Sequence, residues 1–302
     1  MASGNCGGWH SSAAFRAMVP AIQGCCLTRT QPIAPPQPRL LTSADLSAAL
    51  DLSIIAGWNQ TLEDWRMLLE LAPQTCFGIE QDRRLVSTAT LVCYGRRLAW
   101  IGMVLTHPEY RGRGFAHALV THTLDYADGF GIETVKLDAT DQGKPIYEAL
   151  SFAQEQPIER WIRLGTGGIP GGEDRGLAGL SPDLDSEAFG ADRTEVLQAL
   201  ARRGPAIQTN GLLCTRAGRS AAYLGPCVAA SADAANALIS DRLQLSPDVA
   251  WVWDLLPANG HAVEIAVRRG FKRQRSLTRM SRGKTLRPRE DWVYAIAGFE
   301  LG

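Results

Sequence analysis

The chain has 302 residues, 45% of them apolar, and its 31 Lys and Arg balance 31 Asp and Glu for a formal net charge of zero. That length predicts two domains with enough apolar content to pack a core in each, and the neutral balance supplies no global field to steer the protein towards nucleic acid or a membrane surface. The seven cysteines contain no C-x-x-C pair, the five histidines form no H-E-x-x-H cluster, and no apolar run reaches membrane-spanning length, so reduced thiols, no metal, no membrane span and a cytoplasmic location are expected.

In chain order, residues 1–37 are rich in Gly, Ser, Ala and Pro and are expected to be disordered. They lack acidic residues and carry Arg16 and Arg29, a composition shared with organelle-transit segments; a start at Met18 accounts for the segment equally well. The first domain is placed at 38–165. Ser43-Ala44-Asp45 can cap a helix reaching Ile55, and Thr61-Leu62-Glu63-Asp64 has the form of a capping box before a helix ending at Leu71. Between them lies Ala56-Gly57-Trp58-Asn59-Gln60. Cys76–Glu80, Leu85–Tyr94 and Arg97–Leu105 read as strands of an antiparallel meander, with turns at Gln81-Asp82-Arg83 and Tyr94-Gly95-Arg96. Leu119, Val120, Thr123, Leu124 and Ala127 recur at helical spacing, Thr134–Leu137 reads as another strand, and Phe152–Leu164 is expected to close the sheet as two strands broken at Pro157.

The stretch from Val104 to His117 carries the strongest chemical signal. A strand ends, Gly112 and Gly114 follow between Arg111 and Arg113, and a helix opens at Phe115 and Ala116. The first N–H groups of a helix have no internal partner, the macrodipole adds partial positive charge, and glycine lets an anion reach the backbone. The patterns G-x-x-x-x-G-K-[ST] and G-x-G-x-x-G are both absent, which excludes the Walker and dinucleotide loops. The residues alone leave two readings open, a phosphate site and a glycine-rich turn with solvated arginines.

In full, Pro108-Glu109-Tyr110-Arg111-Gly112-Arg113-Gly114-Phe115-Ala116 resembles the pyrophosphate loop, Arg/Gln-x-x-Gly-x-Gly/Ala, of the GNAT superfamily of N-acetyltransferases. A second stretch, Ile146-Tyr147-Glu148-Ala149-Leu150-Ser151-Phe152, is similar to that family's Leu-Tyr-x-x-x-Gly-Phe signature, with Ile146 for Leu and Ser151 for Gly. The resemblance implies acetyl-CoA as co-substrate. Its pyrophosphate would rest on the N–H groups of Gly112, Arg113, Gly114, Phe115, Ala116 and His117 beside Arg111, and its pantetheine arm would run along Val104, Leu105 and Thr106. Thr140, in the place of the family's more usual Asn, joins this cofactor-binding set. The resemblance also implies that Tyr147 protonates the leaving thiolate and that a strand N–H stabilises the oxyanion. Trp58 and Asn59 fall in a connection that lies beside the acceptor pocket in this family; a turn with a buried indole is the other reading. Asp138, Glu63 and His107 are candidate bases, with a structural role for each and a water chain as the alternatives.

Residues 166–180, rich in glycine, are expected to be a linker to a second domain at 181–302. Shifted by 119 residues, the first half overlays the second: Leu105 on Leu224, Ala116-His117-Ala118-Leu119 on Ala235-Asn236-Ala237-Leu238, Thr140 on Asn259, Tyr147 on Ala266, Ser151-Phe152 on Gly270-Phe271. A fixed offset through several elements marks a duplication. The expected architecture is therefore α/β (α+β): two tandem GNAT-like domains, each a mixed, largely antiparallel sheet flanked by helices. In this overlay Arg111, Gly112, Arg113 and Gly114 fall on Ala230, Ser231, Ala232 and Asp233, so the second copy is expected to be degenerate, and either structural or a shaper of the acceptor pocket. Asp291–Phe299 reads as a final strand that ties the halves together. The expected reaction is acetyl transfer to a primary amine by direct attack in a ternary complex, with a small molecule favoured over a peptide amine. The alternatives are a non-catalytic acyl-CoA-binding or regulatory module and a protein lysine or N-terminal acetyltransferase.

Overall fold

Cap and turn chemistry sets the elements of the first half. The Thr61 hydroxyl accepts from the Asp64 N–H at 3.2 Å while the Asp64 carboxylate accepts from the Thr61 N–H at 2.7 Å, a closed capping box. It opens α2 (Leu62–Leu71), and a shorter 3₁₀ turn capped at Thr42 leads into α1 (Leu46–Ile55). Strands β1 (Arg39–Leu40), β2 (Cys76–Gln81), β3 (Arg84–Tyr94) and β4 (Leu98–Thr106) form the antiparallel meander. Then come α3 (Phe115–Phe130), β5 (Thr134–Ala139) parallel to β4, α4 (Lys144–Ala149) and β6 (Ala153–Arg163). The computed structural model describes residues 37–166, 170, 182–208 and 211–302. The expected disordered extension, but for its last residue, and most of the expected linker lie outside the described residues.

The second half repeats the order: α5 (Pro182–Phe189), α6 (Thr194–Ala201), β7 (Ala206–Gln208), β8 (Gly211–Arg216), β9 (Ala222–Ala229), α7 (Ala232–Gln244), β10 (Trp251–Leu255), α8 (Gly260–Arg268), β11 (Lys272–Gly283) and β12 (Val293–Ala295). All strands join one sheet in the order β1-β2-β3-β4-β5-β11-β6-β10-β9-β8-β7, with β12 on β9.

That order corrects the expectation for Phe152–Leu164. The segment is a single strand, and it does not close its own half. Instead the halves exchange the strands that end each repeat: β11 pairs with β5, β6 pairs with β10, and β6 and β11 pair with each other. Pro157 is tolerated inside β6 because it sits beside the irregularity between Arg279 and Met280, where the ladder is already interrupted. The exchange is symmetric. Ala153↔Ser281 and Lys272↔Ile162 are mates under the 119-residue offset.

Each exchanged strand is pinned by a buried, two-pronged ion pair. Arg160 on β6 donates to Asp254 on β10 at 2.7 and 2.6 Å, and Arg279 on β11 donates to Asp138 on β5 at 2.9 and 3.1 Å. Arg160 and Arg279 are themselves mates under that offset. A planar guanidinium matches a carboxylate in one orientation, so these pairs fix strand register as well as charge. A shared core seals the junction, with Trp65, Leu68 and Trp100 of the first half packed in one cluster with Leu197, Leu200 and Leu212 of the second.

Candidate active site

The site begins at a bulge. Thr88 pairs with Leu105 and Thr90 with Gly102, so β4 carries an extra residue there, and Met103 takes a left-handed φ of 50°. The bulge bends β4 away from β5. The two strands pair only at Ala99↔Val135 and Trp100↔Lys136. Beyond them, the edge of β4 from Gly102 to Thr106 has no strand partner on the β5 side, and a groove opens.

At the end of β4 the groove meets the loop 107–114 and the start of α3. Gly112 and Gly114 have φ of 74° and 81°, which a side chain would strain, and a Cβ at either would meet no protein atom within 4 Å. Gly114 supplies no side-chain cap to α3. Among the described residues the N–H groups from Gly112 to His117 have no acceptor. An uncapped helix end beneath an open glycine cradle fits a pyrophosphate. Arg111 lines the cradle, its Nε donating to the Thr106 carbonyl at 3.3 Å. Arg113 contributes backbone only: its guanidinium lies over the Tyr110 ring and donates to the Glu109 carbonyl.

Groove and loop form one cavity of about 620 Å³. Val104, Leu105, Thr106, Phe115, Ala116, His117, Asp138, Thr140 and Tyr147 line it, so the structure brings nearly all the residues expected from sequence to one place. Tyr147 packs edge-on to Phe152, and its hydroxyl makes no hydrogen bond among the described residues. Burial raises the phenol's pKa above its ordinary value, so Tyr147 stays protonated and can donate. The Thr140 hydroxyl accepts from the Gly143 N–H at 3.2 Å and holds the turn into α4.

At the acceptor end several of the candidate side chains are engaged in other contacts. Asp138 reaches the cavity wall, yet both its oxygens are bound by Arg279, so it is a strand anchor and not a free base. Asn59 is buried with its amide spent on the second half: Oδ1 accepts from the Ser220 and Ala221 N–H groups, and Nδ2 donates to the Ala221 carbonyl. Trp58 does line the cavity. Glu63 is exposed and paired with Arg66 on α2, and buried His107 contacts Arg84; neither lines the cavity.

Sequence reasoning missed the residues that do line this end: Gln60, Arg160, Arg275, Leu277, Phe299 and Glu300. Three come from the exchanged strands and two from the tail after β12. The tail is pressed onto β4, where a Cβ on Gly102 would lie 2.8 Å from the Glu300 Cα. It is tied there by Tyr94 donating to the Leu301 carbonyl and Trp100 to the Phe299 carbonyl. Glu300 accepts from Arg216 at 2.9 Å and from Gln60 at 3.2 Å, and Arg216 also meets Asp64. Burial raises the Glu300 carboxyl's pKa, with Arg216 opposing.

A model of the acetyltransferase (GNAT) family matches residues 48–152, and a second acetyltransferase (GNAT) domain model matches residues 182–295. The chain belongs to the GNAT superfamily of N-acetyltransferases. It carries two GNAT domains in tandem, and membership implies acetyl-CoA as donor and an amine as acceptor. The crystal structure of a candidate acetyltransferase from Pyrococcus horikoshii superposes with a TM-score of 0.78 at 22% identity, covering 91% of this chain and 98% of that one. A tandem GNAT protein from the clavulanic acid biosynthesis pathway superposes at 0.55 and 15% identity, over 82% and 98% of the two chains. A glucosamine 6-phosphate N-acetyltransferase from Trypanosoma brucei brucei is 28% identical over 140 residues, covering 42% of this chain and 92% of that protein.

In the second GNAT half the same groove is filled. Strand β9 has its own bulge, since Leu213 pairs with Cys227 and Thr215 with Leu224. Matching the bulges puts Leu105 on Cys227, not on Leu224 as the fixed offset had it. Strand β12 then occupies the groove, pairing at Val228 and Cys227, while the Ile296 N–H donates to the Asp254 carbonyl on β10 at 2.9 Å. Asn259 holds the plug by donating to the Asp291 and Val293 carbonyls. Only Ala230 and Ser231 separate β9 from α7, where residues 107–114 separate β4 from α3. The phosphate loop is thus shortened away and not merely substituted. The Ser231 hydroxyl caps α7, accepting from the Ala234 N–H at 3.3 Å. Among the described residues no group of three or more His, Cys, Asp or Glu could hold a metal, and no helix is long and apolar enough to cross a membrane.

Proposed function

We propose that the first GNAT half binds acetyl-CoA and transfers its acetyl group to the primary amine of a small molecule. The observation that carries this reading is the cavity joining the uncapped end of α3, the unpaired edge of β4 and Tyr147. Arg111 and the N–H groups from Gly112 to His117 would hold the pyrophosphate, and the edge of β4 from Val104 to Thr106 the pantetheine. Acetyl-CoA supplies an activated thioester. A backbone N–H of β4 provides the oxyanion donor, and Tyr147 provides the proton for the departing sulfur. Holding both reactants in one cavity supplies orientation, which is worth several kcal/mol (about 7–11 at best).

Two features favour a small acceptor. The acceptor end is walled by both halves, from Trp58 and Gln60 on one side to Arg275, Leu277 and Phe299 on the other. The Trypanosoma relative, covered over 92% of its length, is named for a small amino sugar phosphate. The domain limits 38–165 and 181–302 follow from the same reading, with the second domain structural and supplying acceptor-side residues. The test is calorimetric titration with acetyl-CoA, then a panel of amines followed by thiol release. Acetylation of a small amine with Tyr147-dependent turnover is expected. Tight coenzyme binding without transfer to any amine would favour a binding module instead.

A further inference from the structure

The charges lining the acceptor end are almost all answered inside the protein. Arg160 is bound by Asp254, Asp138 by Arg279, and Glu300 shares Arg216 with Asp64, which also meets Arg203. Arg275 is the exception. It sits on β11 opposite Arg160, lines the cavity, and makes no ion pair or hydrogen bond among the described residues. Its Nε is buried without a partner, and its guanidinium lies 5.3 Å from the centre of the Phe299 ring, whose other cationic neighbour is Arg160 at 4.6 Å. An unanswered guanidinium beside a second one is costly to bury, and an oxyanion with two acceptor oxygens is the group its fork geometry fits. Burial and Arg160 both lower its pKa from the ordinary arginine value, the direction expected of a cation waiting for a counter-ion.

Gln60, which lines the same cavity, carries an acceptor without a donor. Gln60 Oε1 is buried with no donor, and Glu300 is its neighbour through the bond from Gln60 Nε2. Both line the acceptor end, and the Glu300 backbone packs on Gly102 of β4, at the mouth of the groove. A carboxylate and a lone amide oxygen are suited to the N–H groups of an ammonium.

We propose that the acceptor is an amine that also carries an oxyanion, a carboxylate or a phosphate, with the oxyanion held by Arg275 and the amine at Glu300 and Gln60. The inference rests on the acetyltransferase reading and narrows it to one substrate class. It makes the second half, through β11 and the tail, the source of acceptor specificity.

The experiment compares matched pairs at saturating acetyl-CoA by thiol release. One arm sets amino acids against their amides and decarboxylated amines, and the other sets an amino sugar phosphate against the free amino sugar. The oxyanion-bearing member of at least one arm should have the higher kcat/KM, and the arm that responds distinguishes carboxylate from phosphate. Arg275→Met should raise KM for that member roughly 10- to 100-fold and collapse the preference within its pair. Acetyl-CoA affinity should not move, and Arg275→Lys should restore part of the preference. Equal use of charged and neutral members by the wild type would overturn the inference while leaving acetyl transfer intact, as would an Arg275→Met enzyme that keeps the wild-type preference. Absence of acetyl-CoA binding would instead remove the reading on which the inference rests.

Discussion

In the first half β4 bends off β5 after Trp100 and leaves its edge bare, whereas in the second half the equivalent edge of β9 is paired by β12. The helix that follows shows the same contrast: α3 begins at Gly114 with no side-chain cap, and α7 begins under the Ser231 hydroxyl with Asp233 in its first turn. Bare backbone donors and acceptors are tolerated only where something else will satisfy them. In the second half that something is the chain itself, and in the function proposed for the first half it is a ligand. A worn acetyltransferase half therefore need not leave a vacant groove. It closes the groove with its own tail, and the residues after the plug, Phe299 and Glu300, run on to line the cavity of the first half.

The sharpest way to break this comparison is Gly114→Asp. It places a strained side chain and a negative charge in the cradle together, and acetyl-CoA binding should fall below detection by calorimetry in a variant whose circular dichroism is unchanged. Next in size is the exchange of strands. Asp254→Ala leaves Arg160 buried and unpaired and should cost about 3–5 kcal/mol in denaturant unfolding; a cost under 1 kcal/mol would mean that packing alone sets the register. Tyr147→Phe should lower kcat by around 10²-fold with little change in acetyl-CoA affinity, and full turnover would make Tyr147 a packing residue. The smallest expected effect is none: Asp233→Gly should create no second coenzyme site, because the loop is short and β12 still fills the groove.

Much of the first half was legible because its signals are local. The Thr61–Asp64 box, the helical spacing from Leu119 to Ala127 and the Arg111–Ala116 loop each specify structure within a few residues. The duplication was legible too, since the helices α3 and α7, the helices α4 and α8, and the exchanged strands keep the same offset. What the overlay hid is compensating slippage. Strand β9 and its loop shift against each other, and Asp254 answers Asp138 although it stands three positions short of the offset. The strand exchange left no mark, because β6 and β11 present interchangeable edges and either could satisfy β5 by pattern alone. The acceptor end was hidden for a related reason. Gln60, Arg275 and Glu300 come from three distant segments, and no spacing rule connects them. Asn59 looked like a ligand residue because nothing nearby in sequence shows that its amide is spent on Ser220 and Ala221.

The division of labour between the halves is tested most directly by the stoichiometry of acetyl-CoA binding to the full chain. Calorimetric titration should give one coenzyme per chain, with binding abolished by Gly114→Asp. A stoichiometry of two, or a remaining site in that variant, would contradict the account, since the groove between β9 and β10 would then have to release β12 and accept a ligand of its own.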